Sequence, residues 1–205
     1  MIELKEDPLR EEVRYLGQLL GGVIEAQEGA EFLDFEEEVR HLSKRRRREG
    51  VPVETLRKMI EGCDTPALFA LTRAFSIFFD LANLAEDRHR IRVLREREKS
   101  TEPAPRKESI RAALKFLREQ GMGPEQLLEI LEFSFIEPVF TAHPTEAKRR
   151  TVRSKLRRIR ELMKVLESEQ LLAREAKRVE TEVRSELMTL WETDLLRAKR
   201  PTVLE

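Results

Sequence analysis

Apolar residues recur at helical spacing along the first fifty positions. Leu9, Val13, Leu16, Leu20 and Val23 share one face, with Asp7-Pro8 ahead of them and Gly29 behind. A carboxylate at the cap accepts an orphan amide and a proline in the first turn forfeits no helical bond, so a helix starts at Asp7-Pro8. Phe32, Phe35, Val39 and Leu42 mark a second helix, from about 31 to 48, that stops at Gly50. The short link makes the two an antiparallel hairpin.

A short helix follows from Val53 to Gly62, and Thr65-Pro66 opens a long one. The middle of the long helix, Ala74 to Ala85, is apolar on nearly every side, which places it inside something larger. Its polar interruptions Ser76, Asp80, Asn83 and Asp87 fall at i, i+4, i+7 and i+11, one stripe along the helix. Such a stripe either bonds to a neighbouring helix or lines a functional cavity, and buried polar groups more often find ordinary partners.

Lys99 to Arg106, with Pro103 and Pro105, reads as a mobile loop, followed by helices near Glu108–Gln120 and Pro124–Phe133. Glu137-Pro138-Val139-Phe140-Thr141 is short, β-branched and aromatic, the one segment that predicts a strand. From Pro144 the pattern is helical to about Leu166 and again from Ser168 to Arg197. Leu156, Ile159, Leu162, Met163 and Leu166 form a narrow apolar seam between charged faces. This second hairpin either projects or packs against a partner. The fold class is mainly α, with long helices, helical hairpins and one short strand.

Composition narrows the partners. The 205 residues hold 39 Lys+Arg against 39 Asp+Glu, so the global basic excess of a nucleic-acid binder is missing and local clusters must carry any anion chemistry. One cysteine, Cys63, makes an internal disulfide impossible and favours a reducing, cytoplasmic setting. The acidic start Met1 to Asp7 lacks an apolar leader region, and no run approaches the roughly 20 apolar residues of a membrane span.

Chemistry concentrates at 137–150, where His143 stands between the apolar run and a cationic helix. If a strand ends at Thr141 and a helix begins at Pro144, the positive end of the helix dipole keeps the imidazole neutral, and nearby amides face outward. A neutral ring beside an anion site suits a base acting on an anionic substrate. The alternative is a structural helix-entry histidine. Glu146 and Arg150, four apart, predict an ordinary surface pair, which leaves Arg149 the better anion ligand. His41 and His89 lie on charged faces, and Cys63 has no visible activator.

Thr141-Ala142-His143-Pro144-Thr145-Glu146 with Arg149-Arg150 resembles the active-site histidine signature of the phosphoenolpyruvate carboxylase family. Asp7 to Glu11, Arg73-Ala74-Phe75-Ser76, Leu81 to Glu86, His89 to Arg92 and Leu190-Trp191-Glu192-Thr193-Asp194 resemble further blocks of its N-terminal portion. The resemblance implies carboxylation of phosphoenolpyruvate with bicarbonate to oxaloacetate and phosphate. It implies His143 as base on a carboxyphosphate intermediate, and Arg149 and Arg150 as substrate-binding residues. It also implies magnesium, a homotetramer, and a helix-wrapped (β/α)8 barrel of which this chain holds an incomplete piece.

Family members are several times longer, and the resemblance places their metal-binding carboxylates and most substrate arginines in the C-terminal portion. The chain is therefore expected to be a truncated N-terminal portion, 1–205, without metal ligands and without turnover of its own. Asp80 stands where relatives often carry asparagine. The rival reading is a noncatalytic helical interaction module whose basic cluster, Lys44 to Arg48, binds nucleic acid or an acidic partner, with the long hairpin as a docking arm. A charge run at a helix end more often lies solvated against the C-terminal dipole.

Overall fold

The computed structural model describes residues 7–138, 148–168 and 170–195. Within them lie eight helices: α1 (Pro8–Glu28), α2 (Ala30–Glu49), α3 (Val53–Glu61), α4 (Thr65–Thr101), α5 (Ile110–Glu119), α6 (Pro124–Phe133), α7 (Arg150–Leu166) and α8 (Ala173–Trp191). They fall into two compact units, one of residues 1–87 with 146–205, the other of 88–145.

The first unit begins as its sequence dictates. The Asp7 carboxylate accepts the Leu9 amide at 3.1 Å with Pro8 in the first turn. Gly29 turns the chain at φ 92°, and Gly50 closes α2 in the left-handed region at φ 74°, where a side chain would be strained. Basic residues Arg46, Arg47 and Arg48 occupy the last turn of α2, and Arg45 pairs with Glu49 at 3.1 Å. That is the dipole-complementing, solvated arrangement expected of a charge run.

The core of this unit joins α1, α4, α7 and α8. Leu16, Leu19, Leu20, Val23 and Ile24 of α1 meet Ala74, Ile77, Leu81 and Ala85 of α4, Val152, Ile159 and Leu162 of α7, and Val183, Leu187 and Trp191 of α8. The α7 residues sit at helical spacing along the seam, and Leu156 and Leu166 pack at its margin.

Cross-links fix the directions. Tyr15 donates to Glu180 at 3.4 Å and Trp191 to Glu28 at 3.1 Å, so α1 and α8 run parallel. Lys155 pairs with Glu186 at 2.8 Å and Arg158 with Glu182 at 3.0 Å, so α7 and α8 run antiparallel. Asp80 bonds Lys148, and Asp87 pairs with Arg160 at 2.9 Å, which aligns this part of α4 with α7. Two members of the polar stripe thus bind α7 and the residues leading into it, as a structural stripe does, and Ser76 returns its hydroxyl to the Thr72 carbonyl at 2.7 Å. The second hairpin packs into the chain's own core rather than projecting from it.

By length and composition α4 is long and apolar enough to cross a bilayer. That qualifies the sequence reading, in which no run came close. Ala70, Leu71, Ala74, Ile77, Leu81, Leu84 and Ala85 of this helix are buried, whereas Phe69 and Phe79 are exposed.

The second unit contains the α5–α6 hairpin. Ser109 caps α5 by accepting the Ala112 amide at 3.1 Å, and Gly121, at φ 81°, turns the chain toward Pro124. The hairpin carries Ile110, Phe116, Leu128, Phe133, Phe135 and Ile136 exposed.

Four boundaries depart from expectation. α4 continues through Thr101, so the segment after it is turn rather than helix only from Glu102. Glu137 and Pro138 have no regular structure, and Val139 to Thr141 lie outside the described residues. No sheet forms among the described residues, so the barrel has no counterpart in them. α8 starts at Ala173, where the Glu175 side chain accepts the Leu172 amide at 3.1 Å, and ends at Trp191 rather than Arg197. α7 starts at Arg150, not Pro144, because Arg149 is extended at φ −61°, ψ 146°.

Candidate functional site

The chain enters α7 directly after the histidine signature, and two cations make that entry. Lys148 bonds Asp80, which is 8% exposed on α4. Arg149 is held twice: its guanidinium bonds Asp194 at 3.0 Å and its amide donates to the Leu195 carbonyl at 3.3 Å. These tertiary bonds hold the two residues in extended geometry, and the helix begins immediately beyond them.

The far side of this contact is the end of α8. Trp191, its last residue, is 1% exposed. Arg73 of α4 donates to the Trp191 carbonyl at 2.7 Å and reaches Asp194 at 4.0 Å. Its guanidinium also lies 4.7 Å from the Phe69 ring centroid and 5.8 Å from that of Trp191. A planar cation flanked by rings and bonded to a terminal helix carbonyl satisfies an orphan acceptor and complements the dipole. Arg73, Arg149, Asp194 and Trp191 thus form one cluster joining α4, α7 and α8.

The first turn of α7 carries Arg150 and no acidic residue, and no side chain caps it. Outward amides and cationic side chains there add to one positive field, an arrangement that favours an anion.

Residues 9–205 match the phosphoenolpyruvate carboxylase family. The chain belongs to that family. Similar phosphoenolpyruvate carboxylases include those of Thermus sp. (strain 71), 40% identical over 199 residues, and Roseiflexus castenholzii (strain DSM 13941 / HLO8), 38% identical over 197. The alignments take in 96% and 94% of this chain but 22% and 21% of the relatives. The chain therefore spans about a fifth of the length of the phosphoenolpyruvate carboxylases it matches.

Of the residues expected to act, His143 lies outside the described residues, as do Thr141, Thr145 and Glu146. Arg149 and Arg150 are adjacent at the start of α7, Arg149 turned toward Asp194 and Arg150 exposed. The start of α7 lies at the arginines, so its amide dipoles act there.

Among the described residues no group of three or more His, Cys, Asp or Glu side chains could hold a metal. The carboxylates nearest the signature, Asp80 and Asp194, are engaged by Lys148 and by Arg149 and Arg73. They do not fit a magnesium site. In the sequence Arg73 and Asp194 stand only as parts of family-like blocks, and nothing there marks their place in the cluster.

Proposed function

We propose that this chain supplies the histidine-bearing N-terminal portion of a phosphoenolpyruvate carboxylase, joining phosphoenolpyruvate and bicarbonate to give oxaloacetate and phosphate. The observation that carries the reading is the family match over 9–205, which includes the whole signature 141–150.

In the proposed sequence bicarbonate takes the phosphoryl group, giving carboxyphosphate and the enolate of pyruvate. The carboxyl proton of carboxyphosphate passes to His143, the C–O bond to phosphate breaks, and carbon dioxide and phosphate separate. The enolate carbon then bonds to carbon dioxide. Arg149 and Arg150, at the cationic start of α7, hold the anionic groups by charge-assisted bonds. Magnesium, expected from the family, would be held by residues other than those described, where it would stabilise the charge of the phosphoryl transfer, and the 205-residue polypeptide alone is expected to show no turnover.

Two assays test the reading. The purified chain, supplied with phosphoenolpyruvate, bicarbonate and magnesium, should form no oxaloacetate in a malate dehydrogenase-coupled assay, and turnover there would refute the need for a further portion. A chimera carrying residues 9–205 in place of the matching part of the Thermus relative should be active. In it, His143→Asn should abolish oxaloacetate while leaving bicarbonate-dependent phosphate release, because the phosphoryl step precedes the base. Retained oxaloacetate formation would remove His143 from the mechanism.

A further inference from the structure

We propose that Asp194 and Arg73 are positioning residues for Arg149, acting in series. The proposal rests on the reading of Arg149 as an anion-holding residue and adds what fixes it in place.

The geometry is a chain of three charges across three helices. Asp194 accepts from Arg149 at 3.0 Å and lies 4.0 Å from Arg73. Arg73 is 18% exposed and is fixed by the Trp191 carbonyl and two rings, whereas Asp194 is 63% exposed and stands one turn past the end of α8. An exposed carboxylate beyond a helix terminus has no fixed direction of its own. The half-buried guanidinium beside it supplies that direction, and with it the direction of Arg149. The Arg149 amide bonded to the Leu195 carbonyl at 3.3 Å places the two backbones side by side at the same point. An arginine that must meet a substrate group within a few tenths of an ångström needs such support from residues that never touch the substrate.

The series order makes a prediction that plain structural importance does not. Arg73 should influence the Arg149 side chain through Asp194, so its effect should vanish once Asp194 can no longer pass it on.

The test uses the 205-residue chain labelled with ¹⁵N, reading hydrogen exchange at the Arg149 Nη2–H, the group that donates to Asp194, which is assigned by its loss in Arg149→Lys. Asp194→Asn should speed that exchange by about three- to five-fold, the scale of a partly exposed ion pair. Arg73→Gln should speed it similarly, and Arg73→Lys, which keeps the charge, should do so less. In the Asp194→Asn background Arg73→Gln should add nothing. Arg158→Gln, which breaks a pair with Glu182 farther along α7, should leave Arg149 unchanged.

Equal effects of Arg73→Gln with and without Asp194, or no effect of Asp194→Asn, would overturn the proposal. If Arg73→Gln does not fold, as judged by the emission of Trp191, Arg73→Lys carries the same comparison. Titration with phosphoenolpyruvate separates the proposal from the reading beneath it. An Arg149 resonance that ignores phosphoenolpyruvate but follows the series pattern removes the anion role and keeps the positioning. One that responds to phosphoenolpyruvate but not to Arg73 does the reverse.

Discussion

Trp191 Nε1 donates to the Glu28 carboxylate at 3.1 Å, tying the last residue of α8 to the last residue of α1. The indole is otherwise enclosed by core side chains and the Arg73 guanidinium, so its one polar atom has found a charged acceptor where both helices end.

Replacing that indole separates its polar part from its bulk. Trp191→Phe keeps a ring but leaves Glu28 without its donor, and should cost about 1–3 kcal/mol. Trp191→Ala also empties the site and should cost about 3–5 kcal/mol. Urea unfolding followed by circular dichroism at 222 nm measures both, since neither variant keeps the chain's single tryptophan as a probe.

Leu187 is fully buried between α1 and α7 partners in the core. Leu187→Ala should destabilise by about 2–5 kcal/mol, because the surrounding helices cannot collapse fully on the space left. Arg158→Ala, which breaks an exposed pair on the same hairpin, should change stability by about 1 kcal/mol or less. The same unfolding curves rank the two.

Two glycines should respond in opposite directions. A Cβ at Gly17, inside α1, would meet the nearest Phe78 atom at 3.6 Å, an ordinary contact. Gly17→Ala should therefore stabilise by about 0.5–1 kcal/mol through helix propensity. Gly50 ends α2 at φ 74°, and Gly50→Ala should cost about 1–2 kcal/mol. Thermal melts read the two signs directly.

Glu36 is buried on α2, and burial, aided by the neighbouring Glu37, raises its carboxyl above the ordinary 4.5 against the pull of Arg40 and Lys44. A raised folded value means that the folded chain favours the protonated form. The contribution is fully present below 4.5 and is lost as pH rises through the folded value. Glu36→Gln should accordingly be more stable than the parent at pH 7, and the gap should close as pH falls below about 4.5. Urea midpoints at pH 7 and pH 4 give the comparison.

What could be read from the chain alone depended on how local its cause was. Asp7-Pro8, Gly29, Gly50, Gly62 and Pro124 stop or start helices through their own backbone chemistry, and the bounds they set for α1, α2, α3 and α6 hold within a residue or two. The start of α7 was misjudged because Lys148 and Arg149 obey Asp80 and Asp194, carboxylates 68 and 45 positions away. No spacing rule connects residues so far apart. The signature pointed to Arg149 and Arg150 as a pair at one helix entry, yet Arg73, which anchors the other side, sits in a helix whose pattern speaks only of burial. Of the expected strand only Glu137 and Pro138 are described, without regular structure, and the histidine lies outside the described residues.

The core carries a temporal consequence. Leu16, Leu20 and Val23 near the start of the chain are covered by Val183, Leu187 and Trp191 near residue 190. During synthesis the first helices leave the ribosome with that side bare, and it stays so while some 160 further residues are added. The nascent polypeptide must hold its early hairpin in solution, or have it shielded, until α8 emerges to cover it.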